Sequence, residues 1–327
     1  MAKKEIKRYL FPEDYMADPS VHVWDGKLYI YPSHDWESGV PEDDFGSHFD
    51  MKDYHVLTLE GPDPLTSPVK DWGKVLDKTD IEWHGRQLWD CDVARKDGKY
   101  YMYFPMKDRT DIFRFGVAVS DSPTGPFIPR PKPMNGSYSI DVCVFEEDGE
   151  YYVYFGGIWG GQLQRYRDNK ALDNGSVLPA DDEAALAPRV ARLRGDMLEF
   201  AEDPKPVLIV DAAGQPLTHG DPRRFFEASW MHKYQGKYYF SYSTGDKHHI
   251  CYAIGDNPYG PFTYAGEILT PVVGWTTHHS IVEYNGQWWL FHHDSVPSGG
   301  RTWLRSLKVC RLTYHPDGTI QTIEGED

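Results

Sequence analysis

Asp97-Gly98-Lys99-Tyr100-Tyr101-Met102-Tyr103 is a turn dipeptide followed by an aromatic run, and the pattern recurs four more times. The other copies are Asp25-Gly26-Lys27-Leu28-Tyr29-Ile30-Tyr31, Asp148-Gly149-Glu150-Tyr151-Tyr152-Val153-Tyr154, Gln235-Gly236-Lys237-Tyr238-Tyr239-Phe240-Ser241 and Asn285-Gly286-Gln287-Trp288-Trp289-Leu290-Phe291. Asp-Gly and Asn-Gly between β-type runs predict two-residue hairpins. A type I′ turn needs positive φ at both central residues, which Asp, Asn and Gly tolerate. The Tyr, Trp and Phe that follow favour strands. A second echo accompanies the first: Asp121-Ser122-Pro123-Thr124-Gly125-Pro126-Phe127 follows the second hairpin, and Asp256-Asn257-Pro258-Tyr259-Gly260-Pro261-Phe262 follows the fourth.

The five turns start 72, 51, 87 and 50 residues apart. Each unit therefore holds about four strands in about 50 residues or more, the make-up of one β-propeller blade. The prediction is an all-β fold, a five-bladed β-propeller spanning residues 1–327 as a single domain. The longest gap predicts an insertion at about 160–225, partly loop. The one helical candidate, at 181–194, lies inside it.

Composition narrows the function. The 327 residues carry 34 Lys and Arg against 50 Asp and Glu, a net charge of −16. Such an acidic chain lacks the basic face that nucleic-acid binding requires. No run approaches 18 apolar residues, so no membrane-spanning helix is expected. Met1-Ala2-Lys3-Lys4-Glu5-Ile6-Lys7-Arg8 leads into no apolar segment, and no signal peptide is read there. Cys91, Cys143, Cys251 and Cys310 match no zinc spacing and form no CxxC pair. Buried thiols in a reducing compartment are expected, hence a cytoplasmic location.

Aligned on the turns, the repeats place an ionisable residue at a common position. Asp18, Asp90, Asp141 and His278 each stand seven residues before a turn, and Glu227 stands eight before. The first strand of a propeller blade lines the central channel, so these five residues converge on one axis. A lone Asp before a strand is ordinarily a turn or capping residue. Five in register are another matter: crowded like charges raise one another's pKa and cost stability. Such clusters serve chemistry or metal binding.

At these residues the chain resembles glycoside hydrolase family 43, five-bladed propeller enzymes acting on xylan and arabinan side chains. The matching motifs are Met16-Ala17-Asp18-Pro19-Ser20, Ser139-Ile140-Asp141-Val142 and Phe226-Glu227-Ala228-Ser229, with Trp89 in blade two and His278-His279-Ser280 in blade five. The likeness covers about 9–323. It implies that Asp18 is the general base, Glu227 the general acid, and Asp141 the carboxylate that orients the acid and tunes its pKa. It implies that His278 holds a divalent cation, calcium, mostly through waters, and that Arg305 contacts substrate hydroxyls. The chemistry agrees, because glycoside hydrolysis needs one carboxylic acid and one carboxylate flanking the scissile bond.

The family's blade-two motif, Trp-Ala-Pro, is Trp89-Asp90-Cys91 here. Asp90 then binds a substrate hydroxyl, helps hold a cation, or is satisfied by backbone N–H groups. Longer relatives append a β-sandwich that closes the pocket. This chain must use its own loops, 33–50 and 166–224, or a neighbouring subunit of a homo-oligomer. Most tryptophans are read as packing. Trp89 is the exception, and Trp36 and Trp159 are placed in rim loops. His248-His249 and His292-His293 are read as solvent or loop residues.

The leading reading is an inverting exo-glycosidase that releases terminal β-D-xylose from small xylo-oligosaccharides. The alternatives are an α-L-arabinofuranosidase and a non-catalytic carbohydrate-binding propeller.

Overall fold

The computed structural model describes residues 2–171, 177–245 and 247–326. All five predicted turns have the left-handed backbone the hairpin needs. Asp25, Asp97, Asp148, Gln235 and Asn285 have φ of 52°, 50°, 52°, 48° and 52°, and the glycine after each is also positive. Each turn is closed by facing strand residues, as in the pairs Trp24–Lys27 and Lys96–Lys99.

Five sheets form around these hairpins. Blade 1 is Met16–Trp24, Lys27–His34, Asp53–Leu59 and Val69–Asp77. Blade 2 is Asp92–Lys96, Lys99–Asp108, Phe113–Ser120 and Ile128–Pro129, with His84–Leu88 also paired to Lys99–Asp108. Blade 3 is Cys143–Glu147, Glu150–Phe155, Arg189–Arg192 and Lys205–Pro206. Blade 4 is Phe225–Tyr234, Lys237–Thr244, Ile250–Gly255 and Phe262–Leu269, extended by Ile209–Val210 in parallel. Blade 5 is His279–Tyr284, Gln287–Asp294 and Ser306–Leu312, and the N-terminal Lys7–Tyr9 is its fourth strand. That last pairing joins the two ends of the chain and closes the five-bladed β-propeller.

The first strands are bonded to one another around the axis. The buried Asp92 of blade 2 accepts from His22 of blade 1, and from the Val144 backbone of blade 3 at 2.5 Å. Asp141 of blade 3 accepts from the Ala228 backbone of blade 4, and Trp230 of blade 4 donates to the Ile281 carbonyl of blade 5. The Asp18 N–H of blade 1 meets His293 Nδ1 of blade 5 at 3.1 Å.

The aromatic run of each hairpin packs between blades. Tyr31, Tyr103, Tyr154 and Tyr242 are fully buried. A buried phenol needs an acceptor, and each of these donates to a backbone carbonyl. Tyr31 reaches Pro123 at 2.7 Å and Tyr154 reaches Pro258 at 2.6 Å. Those two prolines belong to the Pro/Gly echo, so the echo marks one inter-blade hydrogen bond made twice.

The region at 160–225 differs from the expectation. No helix forms at 181–194; it holds turns and then the strand Arg189–Arg192. Pro188 lacks a donor for helix continuation, while Arg189–Arg192 finds an open ladder against Tyr152–Phe155. The segment therefore supplies half of blade 3 rather than standing apart as an insertion; 172–176 lie outside the described residues. All four cysteines are buried, and none forms a disulfide.

Candidate active site

Local backbone irregularities aim the carboxylates. Asp18 sits in a register shift between Ala17 and Ser20 with φ of 47°, and Asp141 has φ of 60°. Glu227 lies between two register shifts in its strand and is followed by Ala228 at φ 64°. Bulges of this kind turn side chains out of the regular alternation and gather next to active sites.

One end of the channel opens into a pocket. All seven residues singled out by sequence, Asp18, Trp89, Asp90, Asp141, Glu227, His278 and Arg305, line it. Trp159 and Trp275 stand at the same wall with 40% and 53% of their surface exposed. Trp36 lies elsewhere: its indole donates to the Asp50 carbonyl and Lys52 covers its ring.

Asp18 is buried beside three cationic or cationisable groups. Arg305 Nη1 donates to its Oδ1 at 2.7 Å, and the Nδ1 atoms of His278 and His293 lie 3.5 and 3.4 Å from the same oxygen. Burial alone raises the pKa of Asp18, but Arg305 and His278 hold it well below the usual carboxylate range. Asp18 is therefore ionised. These three contacts fall on Oδ1, and Asp18 lines the pocket.

Glu227 has the opposite environment. Enclosure by the pocket wall, then the negative charges of Asp141 and Asp18, push its pKa well above the usual value, and Arg305 opposes them. One carboxyl group is thus protonated and the other ionised, the division of labour that pKa tuning produces in acid–base enzymes. Burial also raises the pKa of Asp141, while His278 and the Ala228 N–H lower it.

Asp90 is 3% exposed, and neither of its carboxylate oxygens receives a well-formed hydrogen bond. That removes the backbone-satisfied alternative. Burial and the adjacent Asp141 push its pKa far up. Ligand atoms of Asp90, Asp141 and His278 lie within 4.8 Å of one another. Two buried carboxylates, of which Asp90 has both oxygens orphaned, and one imidazole fit a divalent cation.

Arg305 is held from behind by a residue the sequence reading missed. Asp35, 1% exposed, accepts from Arg305 Nε at 2.8 Å, from Nη2 at 2.8 Å and from its backbone N–H at 2.9 Å. Phe49 packs under the guanidinium, 4.8 Å from ring centroid to Cζ. Asp35 follows the second strand of blade 1, so it has no place in a register drawn on first strands.

Two further expectations are corrected. His292 and His293 are fully buried in a strand of blade 5 that is paired on both sides, and His248 is 4% exposed, with the Trp275 ring against it. Burial lowers the His293 pKa to about 3, so it is neutral. Of the two loops expected to close the pocket, 33–50 contributes Asp44, Gly46 and Phe49. The described part of 166–224 contributes none, and Ile158–Gly161 takes its place, since 166–224 is engaged in blades 3 and 4.

An ionised carboxylate and a carboxyl group of raised pKa, sharing a pocket at the mouth of a five-bladed propeller, are the pair that glycoside hydrolysis uses. Residues 11–320 match the sequence profile of Glycosyl hydrolases family 43, and the chain belongs to that family. It is 69% identical over 326 residues to a xylosidase/arabinosidase of Bacteroides ovatus, covering 99% of both chains. It superposes with a TM-score of 0.96 on RS223-Beta-xylosidase, 66% identical, covering 98% of this chain and 99% of that one. It superposes with a TM-score of 0.95 on CoXyl43, a β-xylosidase/α-arabinofuranosidase from a compost microbial metagenome. CoXyl43 is 58% identical, covers 99% of both chains, and was solved with xylotriose in a calcium-free form.

Proposed function

We propose that the protein is an inverting exo-glycosidase that removes terminal β-D-xylose from short xylo-oligosaccharides. The observation that carries this reading is the opposed ionisation of Asp18 and Glu227 in one pocket. Asp18 takes a proton from a water as that water's oxygen bonds to the anomeric carbon. Glu227 gives its proton to the glycosidic oxygen as the bond from that oxygen to the anomeric carbon breaks. The products are a xylose of inverted configuration and a shortened chain, and proton exchange with solvent resets both groups. Arg305, braced by Asp35, keeps Asp18 charged and presents the remaining guanidinium edge to the sugar. Asp141 adds the negative charge that keeps Glu227 protonated.

Asp90, Asp141 and His278 are the residues that would hold a divalent cation, with calcium supported by the hard carboxylate oxygens. When bound, it supplies positive charge that offsets the repulsion between the two carboxylates.

A second reading, α-L-arabinofuranosidase activity in the same pocket, is supported by the double naming of the B. ovatus relative. Hydrolysis of nitrophenyl β-xylopyranoside and of nitrophenyl α-arabinofuranoside, each with and without calcium, separates the two. Higher kcat/KM on the xyloside is expected, and turnover of neither substrate would reject the enzyme reading.

A further inference from the structure

Blade 1 gathers a second set of metal-ligand side chains on its second and third strands, apart from the pocket. Ser33 pairs with Tyr54, which sets His34 opposite Asp53; Asp53 and His55, two residues apart, share a face. One ligand atom from each of His34, Asp53 and His55 lies within 4.8 Å of the others. The two imidazoles are 4.5 Å apart between centroids.

Each ring is anchored by a carboxylate on its outer side. His34 Nε2 lies 3.1 Å from Asp14 Oδ2, and His55 Nδ1 lies 2.9 Å from Asp71 Oδ2. A carboxylate accepting from one ring nitrogen fixes the tautomer and leaves the other nitrogen as a metal ligand. In His34 that other nitrogen faces Asp53 Oδ1 at 2.5 Å. The side chains of His34, His55 and Asp53 are 14%, 15% and 9% exposed, enclosed yet open enough for an ion to enter with a water.

The local charge favours a cation. Asp14, Asp53 and Asp71 surround the two imidazoles, and the nearby Lys74 is turned to Asp77 at 2.7 Å. Negative charge is in excess whether or not His34 carries a proton.

We propose that His34, Asp53 and His55 form a binding site for a divalent transition metal of the zinc class. Two imidazole nitrogens and one carboxylate oxygen suit zinc, cobalt or nickel better than calcium. Water takes the fourth position. Asp14 and Asp71 are the orienting carboxylates. The site ties the second and third strands of blade 1 together one residue before Asp35, the brace of Arg305.

The test is a zinc titration of the full-length protein by isothermal calorimetry in excess calcium, repeated with cobalt by absorption. His278→Ala removes the pocket imidazole and is expected to keep one bound zinc. Adding His55→Ala is expected to abolish that binding. Asp71→Asn, which leaves the ligands intact, is expected to weaken it about 10- to 100-fold. If His55→Ala does not fold, Asp71→Asn decides. Zinc binding unchanged by Asp71→Asn and His55→Ala, or lost altogether in His278→Ala, would overturn the proposal.

Discussion

Replacing Asp35 with Ala tests how Arg305, the partner of Asp18, is held. Arg305 is 3% exposed and makes three of its hydrogen bonds to Asp35, at 2.8, 2.8 and 2.9 Å, against one to Asp18 at 2.7 Å. The substitution leaves a buried guanidinium with one carboxylate and two unsatisfied N–H groups. Removing one partner of a buried ion pair costs about 3–5 kcal/mol. Asp35→Asn keeps the shape and one acceptor but loses the charge. Its cost is set by a charged hydrogen bond, about 1.5–3 kcal/mol. Activity should fall as well, since Arg305 no longer has a fixed position and misplacement of about 1 Å costs about 10²-fold in rate. Urea unfolding and kcat on nitrophenyl β-xylopyranoside measure the two effects. The predicted order is wild type, then Asn, then Ala in both. An Ala variant within about 1 kcal/mol of wild type, with unchanged kcat, would refute the bracing role.

Four further predictions come from the site and its frame. The raised pKa of Glu227 puts the loss of kcat/KM with rising pH well above the usual carboxylate range, and Glu227→Gln should remove turnover and that limb together. The depressed pKa of Asp18 puts the acid limb below that range, and the stability it contributes is present above its unfolded pKa and lost as pH falls; Arg305→Gln should move the acid limb upward. Asp90→Asn removes a buried cation ligand, so thermal scans should show calcium stabilising the wild type against EDTA but no longer stabilising the variant. Tyr154→Phe deletes the bond to the Pro258 carbonyl and should cost about 1 kcal/mol in urea unfolding without changing KM.

The hairpins were legible because their chemistry is local: Asp-Gly or Asn-Gly demands a turn, and the aromatic run demands a strand. Gln235-Gly236 was legible only by its place in the series, and it too adopts φ of 48° and 77°. The pocket carboxylates were legible because a repeat converts sequence register into a ring in space. Asp35 was not, because it acts from a second strand on a side chain 270 residues away. The helix expected at 181–194 failed for the same reason. Its local composition was outweighed by an unfilled edge on blade 3, a partner that exists only once the blade is built. His292 and His293 were misread because polar type suggested solvent, whereas both sit in the buried strand Gln287–Asp294 between blades.

The central claim is that Asp18 delivers water to the anomeric carbon while Glu227 protonates the departing oxygen. Proton NMR of the sugar first released from a β-xyloside tests it most directly. Attack by water from the opposite face predicts α-xylose before mutarotation. Initial release of β-xylose would contradict the account.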